Sequence, residues 1–98
     1  MEYDFEWDAN KARTNFRKHR ISFIQATSVF KDPLAVSIID DEHSETEVRW
    51  ITLGQTDNDQ LLVVMHTFQE TDDNMVMVRI ISARRATTLE QRQYEITQ

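Results

Sequence analysis

The stretch Leu61-Leu62-Val63-Val64-Met65-His66-Thr67-Phe68, the polar turn Glu70-Thr71-Asp72-Asp73-Asn74 and the stretch Met75-Val76-Met77-Val78-Arg79-Ile80-Ile81-Ser82-Ala83 read as two strands and their reverse turn. β-Branched and apolar residues suit a pleated, half-buried surface, and a short polar connection brings such strands together antiparallel. Upstream, residues 49–56 reach 61–68 through a second polar turn, Asp57-Asn58-Asp59-Gln60, and residues 34–39 form another apolar run before an acidic loop. These runs predict a four-stranded antiparallel meander. Alternate strand residues face opposite ways. Val76, Val78 and Ile80 are wholly apolar and are assigned to the core, leaving Met77, Arg79 and Ile81 on the far face. Ile51 and Leu53 are likewise assigned to the core, opposite Trp50 and Thr52. Leu61, Val63 and Met65 share one face, and Leu62, Val64 and His66 the other. In this register His66, Arg79 and Trp50 share the non-core face, an assignment that a one-residue slip reverses.

Helices flank the strands. Asp8 is a good N-cap for a helix over 9–19, where Ala9, Ala12 and Phe16 recur at helical spacing. Ser22 and Gln25 form a capping box for a second helix, with Phe23, Ala26, Val29 and Phe30 as its buried stripe. Asp32-Pro33 ends it, because the residue before proline avoids helical geometry. Thr87 and Glu90 form another box, opening a last helix that runs to about Ile96. The order α-α-β-β-β-β-α, with short strand connections, predicts an α+β fold.

At 98 residues the chain predicts one domain, with 40% apolar residues for a single core and 29% charged residues for a solvated surface. No apolar run approaches the ~20 residues of a membrane-crossing helix. The opening Met1-Glu2-Tyr3-Asp4 is acidic and has no secretory apolar region. There is no cysteine, which excludes disulfides and thiolate metal sites and fits the cytoplasm. Histidines at 19, 43 and 66 lack metal-ligand spacing, so no metal or other cofactor is expected.

The net charge of −6 is unevenly spread. Lys11, Arg13, Arg17, Lys18, Arg20 and Lys31 occur with no acid among them, and Arg79, Arg84, Arg85 and Arg92 are broken only by Glu90. Between these segments the chain is acidic, with Arg49 as its one base. Two basic segments that converge in space would form a positive patch on an acidic protein.

Phe5-Glu6-Trp7-Asp8, Asn15 with Lys18-His19, Asp32-Pro33, His43-Ser44 with Arg49, and the run from Arg79 through Arg84-Arg85-Ala86-Thr87 occur in that order and are followed by Glu90 and Arg92-Gln93-Tyr94. This ordered set resembles the BrnT family of bacterial type II toxins. The resemblance implies a RelE-like fold and a ribonuclease that cleaves RNA and inhibits growth. It also implies a cognate BrnA-like antitoxin whose ribbon-helix-helix domain binds operator DNA, so that this chain would meet DNA only indirectly. Two positions depart from the pattern. Arg20 stands where the family usually has Gly, at a helix exit that often needs the left-handed conformation. Thr88, Leu89 and Gln91 make the last helix less basic than is usual.

Metal-independent RNA cleavage needs a base for the 2′-hydroxyl, an acid for the leaving oxygen and cations for the phosphate. Arginine suits the phosphate because its planar fork stays charged and donates two hydrogen bonds at once. Arg79 and Arg84 are the first candidates for this contact. His66, His43 and Glu47 complete the catalytic set, and Lys18, His19, Arg49, Arg85 and Arg92 are candidates for RNA binding. Each residue also has a structural reading. Arg79 can pair with the acidic loop, His66 can hydrogen-bond a neighbouring hydroxyl, and Glu47 can pair with Arg49. Lys18 and His19 complement a helix dipole. Tyr94 can stack on a base or anchor the last helix. Two further readings compete with the enzyme: a module that only docks a partner, and a co-repressor subunit of a DNA-binding complex.

Overall fold

The computed structural model describes residues 2–71 and 73–97, so Met1, Asp72 of the 70–74 turn and Gln98 lie outside it. Five strands form one mixed sheet: β1 (Glu2–Trp7), β2 (Val36–Ile39), β3 (Trp50–Gln55), β4 (Leu61–Glu70) and β5 (Met75–Arg85), in the order β1-β5-β4-β3-β2. The helices are α1 (Ala9–His19), α2 (Phe23–Thr27), which continues as a 3₁₀ turn over Ser28–Lys31, and α3 (Thr88–Ile96). The expected antiparallel meander is present as β2 to β5. The four-stranded count is corrected by β1, which adds to β5 in parallel, Glu2 facing Met75 and Trp7 facing Ile80. Its alternation of Tyr3, Phe5 and Trp7 with acidic residues is a strand pattern, and Phe5 and Trp7 pack against the core.

One face of the sheet carries that core. Leu62, Val64, Val76, Val78, Ile80 and Ala83 meet Ile21, Phe23, Ala26 and Val29 of the helical layer. The assignment of Val76, Val78 and Ile80 inward is correct, but the expected register of the neighbouring strands is inverted. Trp50 pairs with His66 and Thr52 with Val64, so Trp50, Thr52 and His66 lie on the core face and Ile51 and Leu53 on the opposite one. The pairing of β4 with β5 shifts between Met65 and His66, where Ile81 is the extra residue. This bulge changes which residues of the two strands share a face. Gly54 is needed for close approach, since a Cβ there would meet Val29 Cγ1 at 2.8 Å and Ala35 Cβ at 3.0 Å.

Where β1 ends, α1 takes over the edge of β5. The buried Asn15 side chain accepts from Ala83 N at 3.1 Å and donates to Ala83 O at 2.9 Å and Ile21 O at 3.1 Å. A single amide thus stands in for a strand. Asp8 caps α1 through Asn10 N and Lys11 N, and Thr87 and Glu90 form the full capping box of α3. At α2 only half the expected box forms: Ser22 accepts from Gln25 N, while the Gln25 amide turns to Gln60.

Arg20 ends α1 at φ 60°, ψ 28°, and its N–H closes on Phe16 O. The chain therefore keeps the left-handed exit despite its Cβ. Arg20→Gly is expected to stabilise the fold by about 1 kcal/mol, because glycine enters this region without steric cost. Urea denaturation of the two proteins measures the difference, and an unchanged midpoint would refute the strain.

Candidate active site

The face of the sheet opposite the core holds the two first-choice arginines. Arg79 of β5 pairs with Thr67 of β4, and Arg84 pairs with Val63. They are four positions apart along β4, or roughly 13 Å at about 3.3 Å per residue. Each meets a carboxylate. Arg84 donates to both Glu90 oxygens, at 2.8 and 2.9 Å. The hydrogen bonds from Arg84, with help from Thr87, hold the Glu90 carboxyl down at about 2. This pair fixes the start of α3 to the end of β5.

The second pair is more open. Glu47, in the loop between β2 and β3, accepts a hydrogen bond from Arg79, and both side chains are more than a third exposed. Glu47 therefore pairs with Arg79 and not with Arg49, as its spacing suggested. Arg49 precedes Trp50, which faces His66, so Arg49 comes level with Thr67 on the side that Arg79 also occupies. Its Nε is buried and has no hydrogen-bond partner among the described residues. Arg49, the buried Thr67 and Arg79 thus fall in one row across the sheet, and Glu47 reaches Arg79 from the loop.

The loop that delivers Glu47 is closed at its neck. Asp40 N donates to Arg49 O, and the Ser44 hydroxyl donates to Asp40 O while accepting from Arg49 N. His43 lies in the same loop. Its Nδ1 meets the buried Asp40 carboxylate at 2.8 Å, and the ring is about half exposed, which leaves Nε2 as the free nitrogen. Asp40 was not among the expected site residues, although its spacing of three from His43 is the signal that finds it. Thr67 was missed because its place depends on cross-strand register.

His66 is elsewhere. It is fully buried on the core face, Nε2 is 2.6 Å from Thr52 Oγ1, and its ring meets Phe30 and Phe68 edge-on. This corrects its placement beside Arg79. Burial pushes its pKa down to about 4, against a partial upward pull from the Thr67 carbonyl. The unfolded chain binds this proton more readily, so stability is fully present above pH ~6.5 and is lost towards pH 4, by about 3 kcal/mol. His66→Gln is expected to flatten that part of the stability–pH curve; equal slopes in the two proteins would refute the burial effect.

Of the expected RNA-binding residues, Lys18 and His19 line a groove of about 310 Å³ with Lys11, Ile81 and Ser82, beside the edge of β5. Arg85 donates to His19 O at 3.3 Å. Arg92 is exposed on α3, apart from this group. Tyr94 is an anchor: its hydroxyl donates to Asp32 at 2.6 Å. Burial and that bond push Tyr94 up to about 12. Partial burial raises the Asp32 pKa, but bonds from Gln55 N, the Tyr94 hydroxyl and Leu34 N outweigh it and leave the carboxyl below its usual range.

The site is thus a set of carboxylate-paired arginines on one face of a three-helix, five-stranded α+β fold. A family model described as the ribonuclease toxin BrnT of a type II toxin–antitoxin system matches residues 7–90, and the chain belongs to that family. Membership carries with it an antitoxin partner. The 1.1 Å crystal structure of the Brucella abortus ribonuclease toxin BrnT is similar, with a TM-score of 0.56 and 18% sequence identity, covering 90% of this chain and all of that one. At that identity the likeness bears on the fold alone. None of the curated proteins matches the chain. Among the described residues, no helix is long and apolar enough to cross a membrane.

Proposed function

We propose that the chain is a metal-independent endoribonuclease of the cytoplasm, with its reaction centre at the Glu47–Arg79 pair and its inhibition supplied by a BrnA-like ribbon-helix-helix antitoxin. The observation that carries this reading is the open Glu47–Arg79 pair, set level with Thr67 and Arg49. A phosphodiester entering the row competes with Glu47 for Arg79, whose guanidinium has five donors and uses one on the carboxylate. Glu47, released but still adjacent, takes the 2′-hydroxyl proton as the 2′-oxygen attacks phosphorus. The bond to the 5′-oxygen breaks, that oxygen takes a proton from His43, and a 2′,3′-cyclic phosphate remains. Asp40 holds His43 in one orientation for this step, and fixed arginines stabilise the charge on the crowded phosphate. Lys18, His19 and Arg85, beside the edge of β5, track the flanking backbone. Arg84 serves by holding α3, and His66 by packing the core.

The experiment is incubation of the purified, antitoxin-free protein with total RNA in EDTA, with and without ribosomes. Cleavage in EDTA that is lost in Arg79→Ala is the expected result. A second reading, a module that docks a partner without chemistry, is favoured by one observation: both first-choice arginines are already paired with carboxylates. Intact RNA in both conditions, from protein that is folded by circular dichroism, would establish that reading instead.

A further inference from the structure

On the helical side of the molecule, α1 and α2 border an open groove of about 350 Å³ floored by Trp7, Ala12, Phe16, Phe23 and Ile24. Phe16 is 45% exposed and Ile24 72%, a high exposure for side chains of this size on adjoining helices. Arg13 and Arg17 rim the groove, and the Arg20 guanidinium lies over the Phe16 ring at 5.8 Å. Among the described residues none of these three arginines forms an ion pair with a carboxylate, although the chain as a whole carries a charge of −6. The Arg13 guanidinium donates only to the Asn10 side chain.

From this arrangement we propose that the α1–α2 groove docks an acidic amphipathic helix of a protein partner. Phe16, Ile24 and the edge of Trp7 would receive apolar side chains spaced three and four residues apart. Arg13, Arg17 and Arg20 would meet the partner's flanking carboxylates, which complement a cationic rim on an acidic protein. A nucleic-acid strand fits less well. Ile24 offers no surface for base stacking, and Arg20 already covers one face of Phe16. The groove lies on the opposite side of the sheet from Arg79 and Glu47, so its occupant leaves that row uncovered. The inference is independent of RNA cleavage.

The test uses the full chain and three tryptophan-free peptides of roughly 18 residues, long enough for helix to form. The first has leucines on one helical face and glutamates around it. The second has the same composition with the leucines dispersed. The third replaces every glutamate by lysine. Binding is read by calorimetry and, in a Trp50→Phe background that leaves Trp7 as the one tryptophan, by the change in tryptophan fluorescence. The first peptide is expected to bind about tenfold more tightly than either control, and to weaken by about tenfold in Arg13→Glu/Arg17→Glu and in Phe16→Ser, with circular dichroism unchanged. Equal binding of the three peptides, no binding of the first, or parent-like binding by folded variants would overturn the proposal. Oligouridylate that binds more tightly than the first peptide and is lost in the double arginine variant would assign the groove to nucleic acid instead.

Discussion

Glu47→Gln is expected to lower the rate of RNA cleavage between about 10² and 10⁴ fold, the range that a positioned general base contributes. The glutamine side chain is nearly the same size and can still accept from Arg79, so the loop should stay closed through Ser44 and the Asp40–Arg49 bond. Only the proton acceptor is removed. Arg79→Ala is expected to cost a comparable factor by a different route, because it removes the cation that faces the phosphate. The two losses should not multiply in the double variant, since the residues act as one unit. Arg84→Ala separates position from chemistry. It frees the start of α3 and should lower stability, with a much smaller effect on the cleavage rate of the protein that remains folded. Single-turnover cleavage of a defined oligonucleotide measures all four. Full activity in Glu47→Gln would remove the reaction centre from this row.

Asn15→Leu is expected to destabilise the fold by about 3–5 kcal/mol. Leucine preserves bulk but cannot make the three hydrogen bonds to Ala83 N, Ala83 O and Ile21 O. Each buried backbone group left unpaired costs roughly 1–3 kcal/mol. For a chain of this length, whose total stability is of order 5–15 kcal/mol, the loss is a large share of the whole. Asn15→Asp is the sharper comparison. It keeps the acceptor for Ala83 N but turns the two donated bonds into contacts between oxygens. Chemical denaturation of the three proteins gives the order wild type, then Leu, then Asp at neutral pH. A loss below about 1 kcal/mol in Asn15→Leu would mean that water replaces the amide at the strand edge.

Much of the fold was legible because its signals are local. Asp8, Ser22 and Thr87 mark helix starts through their own side chains, and the turns at 57–60 and 70–74 are built from residues that tolerate positive φ, as Asp59 and Asn74 do. The faces of β3 and β4 were not legible. Both strands are apolar on each side, because α3 covers part of the second face over Leu53 and Val63, so alternation does not name the inner one. His66 then looked solvent-facing when a single register step carries it into the core. Arg79 and Glu47 could be chosen as chemically apt residues, but they lie 32 positions apart, and their pairing needs the chain between them to be placed first. The α1–α2 arginines were legible as a charge run, while the apolar floor beneath them depends on how two helices abut.

The parallel contact of β1 with β5 ties the completion of the sheet to the late part of the sequence. Residues 2–7 are made before their partners at 75–80, which lie 73 positions further along (75 − 2). Until then the first strand has no ladder to join, and Arg79 does not yet exist to meet Glu47. A chain that stops short of β5 therefore lacks both the ladder for its first strand and the arginine that meets Glu47, so the sheet edge and that ion pair are completed together.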